Sequence, residues 1–419
     1  MVTPQPDPGG ATDPGGPVDI ALYGATGFVG GLIARHLAEH APSGVRIALA
    51  GRSESRLVAA RAALPARARD WPLIVADAAD PAATDRLATG ARVVLSTVGP
   101  YARYGLGLVG SCARAGTHYA DLTGEVLFVR EAIDRFHDVA RETGARLVHS
   151  CGYDSVPSDL GVWLAHRAAQ ADGAGGLTEV RTVATMRGGV SGGTVDSLRG
   201  QLDTVRTDRD ARRLAARPHS LSPDPSAEPT PAQPADAGPP ARLPDGTWTA
   251  PFVMASYNTR IVRRSNALLD HAYGRGLRYG ELQGCGRGVS GAVAAGVVTA
   301  GLGALVGAFL LPPIRPLLDR VLPAPGTGPS ERTRERGWFR MDVRAETGSG
   351  RRYRVRVSGP GDPGYGATAV MFGEAGLALA LGGSALPDRA GSLTPATALG
   401  DVLVDRLRAA GHTYEVAPG

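Results

Sequence analysis

Residues Gly24-Ala25-Thr26-Gly27-Phe28-Val29-Gly30 stand between a short apolar run, Val18–Tyr23, and a segment of helical period, Gly31–Glu39. No other feature constrains the fold as tightly. Glycines spaced three apart mean little in a chain that holds 58 of them. A strand before and a helix after are the conditions under which such a loop holds a dinucleotide. Gly24 permits the tight turn, Gly27 lets the backbone approach a pyrophosphate, and Gly30 allows close helix–strand packing. The phosphates then rest on the free N–H groups and positive dipole end of the helix.

Further apolar runs follow at Arg46–Ala50, Leu73–Ala76, Val93–Val98, His118–Leu122 and Arg146–Ser150, with helix-like segments between them. Strands alternating with helices predict an α/β fold, a Rossmann-type doubly wound parallel sheet over 18–150. Beyond 150 the texture changes. Thr178–Met186 alternates as a strand and Asn258–Asp270 reads as a helix. Phe339–Glu346 and Arg351–Ser358 flank TGSG as a hairpin, and Gly366–Leu381 and Pro395–Ala410 read as helices before a last strand at Thr413–Val416. Residues 151–419 are therefore expected to form an α+β substrate domain with a mainly antiparallel sheet. Two Pro/Gly-rich stretches, 1–17 and 205–247, lack the apolar content for a core and read as a disordered tail and a disordered insert.

After the second strand an NAD site would place a carboxylate on the ribose 2′-hydroxyl. Here Gly51-Arg52-Ser53 offers a guanidinium fork instead, which suits a 2′-phosphate and makes NADP(H) the expected cofactor. Asp77, after the third strand, is placed for the adenine amino group or for a helix cap. Gly99-Pro100 ends the fourth strand, on the nicotinamide side. All 45 basic residues are arginine, which excludes a Schiff-base lysine, a P-loop lysine and the Tyr-x-x-x-Lys pair of short-chain reductases. Aromatics at 5% leave little to stack on bases, so nucleic acid is not an expected partner. Three isolated cysteines point to a reducing, cytoplasmic compartment, and nine scattered histidines to no metal.

Between Arg287 and Arg315 no residue is charged. The run, VSGAVAAGVVTAGLGALVGAFLL at 289–311, has the length of a membrane span, but it is rich in Gly and Ala and flanked by arginine on both sides. Peripheral contact with the inner face of the plasma membrane, a buried helix pair and a true span all remain open.

GATGFVG, AGRS, STVGPYARYG, HYADLTGE and HSCGYDSVPSDLG, in that order, resemble the saccharopine dehydrogenase-like oxidoreductases, and more narrowly the bacterial trans-acting enoyl reductases. GGVSGGTVDS at 188–197 and SGPGDPGYGATAVMFGEA at 358–375 extend the resemblance over most of the chain. It implies reduction of a carbon–carbon double bond in a lipid-like or carrier-bound acyl substrate. A saccharopine-type dehydrogenase and a non-catalytic NADP(H)-binding lipid protein are the rival readings, and a homodimer is the expected assembly. Such a reduction needs a proton donor and a holder of the enolate oxygen. Tyr153 is the candidate donor; Glu125 either positions substrate or opens a helix. Tyr101, Tyr104 and Thr194 are candidate substrate contacts, while Asp154 or Ser155 reads as a helix cap.

Overall fold

Alternating strands and helices build the first half as a parallel sheet in the computed structural model, which describes residues 16–188, 192–229, 231–310 and 328–419. The side chains of 192–195, 198 and 310 lie outside that description, as does residues 1–15, most of the expected tail. The first elements are β1 (Val18–Tyr23), α1 (Phe28–His40), β2 (Ile47–Gly51), α2 (Glu54–Ala62), β3 (Leu73–Val75), α3 (Pro81–Thr89), β4 (Ala91–Ser96), α4 (Tyr101–Ala115), β5 (His118–Asp121), α5 (Val126–Thr143) and β6 (Arg146–Val148). These strands are continuous apolar runs because helices cover both faces of the sheet. β1 lies between β2 and β4, with Ile20 opposite both Ile47 and Val93.

The chain continues through α6 (Val156–Ala171), β7 (Leu177–Arg187), α7 (Gly192–Thr207), α8 (Arg209–Ala216), β8 (Ala241–Arg242), β9 (Thr247–Pro251), α9 (Ala255–Leu268), β10 (Arg278–Arg287) and α10 (Gly288–Leu310). The last elements are α11 (Glu331–Glu335), β11 (Trp338–Thr347), β12 (Arg352–Pro360), α12 (Thr368–Leu381), β13 (Gly391–Leu393), α13 (Pro395–Ala409) and β14 (Thr413–Pro418). A second sheet runs in the order β14-β12-β11-β7-β10-β9-β8. Only β7 and β10 pair in parallel, and the β11–β12 hairpin keeps register from Trp338↔Pro360 to Glu346↔Arg352. This is the mainly antiparallel α+β sheet that the alternating runs foretell.

The boundary expected at residue 150 needs correction. The first sheet runs β13-β6-β5-β4-β1-β2-β3, so it takes its seventh strand from the far C-terminal region. Leu393 pairs with Val148 at its edge. α12 covers one face, where Phe372 and Leu377 pack with Ile20, Ile33, Val93 and Leu95. Each such side chain contributes about 2 kcal/mol by leaving water. A chain of polar contacts ties the layers: Glu374 of α12 meets His36 of α1 at 2.9 Å and Arg406 of α13 at 2.8 Å.

The expected disordered insert at 205–247 is also corrected. Its residues build the ends of α7, then α8 and β8, and between them the chain lies over α9. The reason is largely polar, although the buried Leu221 also joins a hydrophobic cluster with Tyr257 and Ile261 of α9. Arg260 donates to the Ala215 carbonyl (2.7 Å), Arg263 to Pro218 (3.1 Å) and Arg264 to Leu221. Asp236 accepts from Thr259 (3.0 Å) and Arg260 (2.9 Å). A segment unable to form a core supplies the acceptors that let a helix carry three buried arginines.

α10 is the least covered long helix. It leans on β9, β10 and α7, burying Ala295, while Val289, Val293 and Val297 are 82, 61 and 66% exposed. The described part of the 287–315 run is thus a single mostly exposed helix rather than a buried pair. Residues 311–315 lie outside the described residues.

Candidate cofactor and substrate site

The turn from β1 into α1 has the geometry that its glycines allow. Gly24 sits at φ +92°, and a Cβ there would stand 2.4 Å from Thr97 Oγ1. A Cβ on Gly30 would stand 2.2 Å from the Gly24 carbonyl oxygen, so helix and turn touch through hydrogen alone. Gly27 N–H donates to the Gly24 carbonyl (2.9 Å) and Gly31 N–H to Gly27 (2.9 Å). Phe28, Val29 and Gly30 therefore open the helix with N–H groups that have no intrahelical acceptor. Gly27 is exposed at the N-cap, and no side chain caps it. Ala25 is buried; Thr26 is half-buried and its carbonyl accepts from Arg56 (3.4 Å). The Phe28 ring meets Tyr365 edge-on at 5.1 Å, with the Arg334 guanidinium 5.5 Å from its centroid. A bare helix N-terminus with close backbone access fits a pyrophosphate.

Arg52 follows the last residue of β2, exposed and, among the described residues, without a hydrogen-bond or ion-pair partner. Ser53 caps α2 by position and its Oγ lies 3.3 Å from Ser55 Oγ. Asp77 is exposed and accepts from the Ala79 N–H (2.9 Å). The cap of α3 is Asp80, which accepts from Ala82 (2.9 Å), so Asp77 is not a helix cap. Arg52, Ser53 and Asp77 thus rim the ends of β2 and β3, while Gly99 and Pro100 rim the end of β4. A dinucleotide held on α1 would run along this row of strand ends.

Two candidates prove to be parts of the frame. Glu125 is buried: its two oxygens accept from the Tyr101 (3.0 Å) and Ala102 (2.8 Å) N–H groups, and Ser197 donates at 2.7 Å. That carboxylate fills the N-terminus of α4, buried and with both oxygens engaged by the frame. Tyr101 is buried as well, donating to the Ser96 carbonyl (3.1 Å) and accepting from Leu122 N–H (3.2 Å). Burial pushes its hydroxyl well above the usual range, with the Asp121 charge adding to it. Both assignments, catalysis for Glu125 and substrate contact for Tyr101, give way to structural ones. Tyr104 remains half-buried in the first turn of α4, with Arg103 5.0 Å from its ring centroid. The side chain of Thr194 lies outside the described residues. Its helix, α7, is fastened across this edge by Gln201, which accepts from Val126 N–H and donates to the Gly124 carbonyl, both at 3.1 Å.

Tyr153 is also corrected. Its hydroxyl is buried against Met341 Sδ (3.5 Å) and its ring meets Phe339 edge-on, on the face of the second sheet. Burial drives its pKa far up. A donor must reach substrate, and this one faces a thioether. The neighbour read as a cap is the more open group. Asp154 is half-buried, and burial, with the Asp121 charge adding to it, pushes its carboxyl up to about 7.

The residue that organises the edge is Asp121, which the sequence pattern does not single out. Its carboxylate pairs with His149 Nδ1 (2.7 Å) and accepts from the Ser150 (2.9 Å) and Thr123 (3.1 Å) N–H groups. Ser150 is held at φ +64° by these bonds and its Oγ donates to the Thr123 carbonyl (2.7 Å). His149 is thereby a packed core histidine. Thr97, which seats Gly24, is the other site residue that sequence reasoning passed over.

Residues 20–148 match the saccharopine dehydrogenase NADP binding domain family. A protein of Mycobacterium tuberculosis named as a trans-acting enoyl reductase is 52% identical over 415 residues, covering 95% of this chain and 97% of that one. The chain belongs to the trans-acting enoyl reductase family. A member from Mycobacterium bovis is 47% identical over 405 residues, covering 94 and 96%. Among solved structures, L-Glu-forming saccharopine dehydrogenase from Saccharomyces cerevisiae has the same fold, at TM-score 0.51 and 14% identity over 96% of this chain and all of that one. Homospermidine synthase from Legionella pneumophila gives 0.50 at 10% identity, covering 96 and 91%. This enoyl reductase family member is an NAD(P)(H)-binding oxidoreductase.

Proposed function

We propose that this protein uses NADPH to reduce the carbon–carbon double bond of a lipid or polyketide-type acyl chain delivered on a carrier. The carrying observation is 47–52% identity over 94–95% of this chain to proteins named trans-acting enoyl reductases, and the tight Gly24–Gly30 turn at the strand ends supports it. Arg52, exposed at the end of β2 and unpaired among the described residues, supports NADPH over NADH. When bound, the cofactor supplies a hydride to the β-carbon. The protein's own work is to bind and orient. Phe28, Val29 and Gly30 N–H groups would take the pyrophosphate, Arg52 and Ser53 the 2′-phosphate, and Gly99-Pro100, at the end of β4, would border the nicotinamide. Tyr104 and α7 flank the approach of the acyl chain.

The decisive experiment follows NADPH consumption by the purified protein on a long-chain trans-2-enoyl thioester, on saccharopine and on a cyclic imine. Turnover of the thioester alone supports the reading. Turnover of saccharopine or the imine instead transfers the protein to amino-acid dehydrogenation, and tight NADPH binding with no oxidation of any kind makes it a binding protein.

A lipid contact belongs to the same proposal. α10 is apolar on every side, so a partner must be apolar around most of its girth, as acyl tails are. At 23 residues it is roughly 34 Å long, and Arg287 stands immediately before it. Phospholipid vesicles are expected to float the wild-type protein, and a V289E/V293E/V297E variant of equal thermal stability is expected to stay at the bottom of the gradient. Equal flotation of the two proteins eliminates α10 as the contact.

A further inference from the structure

The carboxyl groups at the strand ends differ in what they have left to give. Asp121 is buried with three partners, His149, Ser150 and Thr123, and Glu125 with three, the Tyr101 and Ala102 N–H groups and Ser197. Asp159, one turn further on, accepts from Ser265 (2.5 Å) and the Ala396 N–H (2.8 Å) and is buried. The tyrosine hydroxyls are equally engaged: Tyr101 with Ser96 and Leu122, Tyr257 with Ser150. Asp154 is the exception. It is half-buried, and among the described residues no side chain or neighbouring backbone N–H donates to it; only its own N–H is close.

Its position is set by the loop from β6 to α6. Ser155 and Val156 N–H groups fold back onto the Gly152 carbonyl at 3.3 and 3.0 Å. Asp154 Oδ2 consequently lies over Gly152: a Cβ built there would stand 2.9 Å from it, 2.7 Å from Leu122 Cδ2 and 2.9 Å from Thr368 Cγ2. That is the carboxyl edge of the sheet, between the ends of β5 and β6. Strands lie about 4.8 Å apart, so β6 stands about 14 Å from β1, where the phosphate loop sits. A dinucleotide anchored at Gly27 and extended across the strand ends would bring its reactive ring toward β4 and β5, the side on which this carboxyl lies.

We propose that Asp154 is the proton donor to the α-carbon of the enoyl substrate, an inference that rests on the reductase reading above. As hydride from the nicotinamide forms the new bond at the β-carbon, the π pair of the double bond moves to the α-carbon and carbonyl oxygen. The Asp154 O–H bond then breaks, its proton forms the α C–H bond, and the carboxylate left behind takes a proton from water. The cofactor is oxidised by two electrons and the acyl chain gains two hydrogens. A donor must be protonated at working pH. Burial first, then the negative charge of Asp121, pushes the Asp154 carboxyl up to about 7, near the optimum for such a transfer. The titratable groups that face it are Asp121 from β5, Tyr101 from α4, Tyr257 from α9 and Cys151 in its own loop. Burial holds the last three neutral.

The sign follows directly: the acid form is lost as pH rises through about 7. Wild-type kcat/KM on the enoyl thioester is expected to fall above that value, whereas Asp154→Asn lowers it roughly 100- to 1,000-fold and removes that limb of the profile. Asp154→Glu restores part of the rate. NADPH affinity, read by cofactor fluorescence, stays within twofold in both variants. Independently of turnover, infrared titration of the cofactor-free protein should show a carboxyl ionising near 7 that Asp154→Asn abolishes. An Asp154→Asn enzyme with wild-type rate and profile, or an Asp154 carboxyl that titrates near 4, overturns the assignment while leaving the reductase reading intact. A wild-type protein inert toward every enoyl thioester overturns both.

Discussion

Gly30→Ala should weaken NADPH binding by roughly 100-fold or more and cost about 3 kcal/mol of stability. The added methyl carbon would stand 2.2 Å from the Gly24 carbonyl oxygen, 2.9 Å from its carbon and 3.0 Å from Ala25 Cα. All three are backbone atoms, so no rotamer change relieves the clash. Relief requires α1 to move off β1. Gly24 is in turn seated on Thr97, so the movement opens the turn and displaces the N–H groups meant for the pyrophosphate. Gly31 provides the control, because a Cβ there meets nothing within 4 Å. Gly31→Ala should bind NADPH normally and melt at the same temperature or slightly higher, since alanine favours a helix over glycine by up to about 1 kcal/mol. Fluorescence titration and thermal melts measure both. If Gly30→Ala binds NADPH within twofold of wild type, α1 does not carry the phosphates.

Arg52→Ala tests which dinucleotide the site prefers. A guanidinium gives a phosphate two parallel charge-assisted bonds, worth about 1.5–3 kcal/mol, so NADPH should bind roughly 10- to 100-fold more weakly. NADH lacks the phosphate and should be unaffected. Because Arg52 is exposed, its contribution should shrink as salt rises. Arg56 should matter less, as its guanidinium already reaches the Thr26 carbonyl. A parallel loss for NADPH and NADH would mean that Arg52 shapes the loop instead of reading the phosphate.

What the sequence made legible was local. The glycine loop could be read because its demands are backbone demands: a positive φ at Gly24 and atomic contact at Gly30 admit one residue type. The parallel strands could be read because burial on both faces leaves unbroken apolar runs. β13 could not, since its three residues, Gly391–Leu393, carry no periodicity and gain their identity from Arg146–Val148 far upstream. The order in 218–229 and 231–236 was hidden for a related reason, as the Pro218 and Leu221 carbonyls and the Asp236 carboxylate are bound by arginines of α9. The misassigned side chains share one cause. Strand ends announce which residues reach the edge but not which way each one turns. Tyr153 turns to Met341, while Asp154, one residue later, folds over Gly152.

The late arrival of β13 has a consequence for synthesis. The cofactor-binding sheet waits for a strand made some 245 residues after β6. At roughly 5–20 residues per second, that is roughly 12–50 s during which the edge of β6 and the face destined for α12 stand open on the ribosome. A nascent chain in that state offers unpaired backbone and bare aliphatic surface to anything nearby. Its yield in a cell should therefore depend on chaperone supply more than the stability of the finished protein suggests.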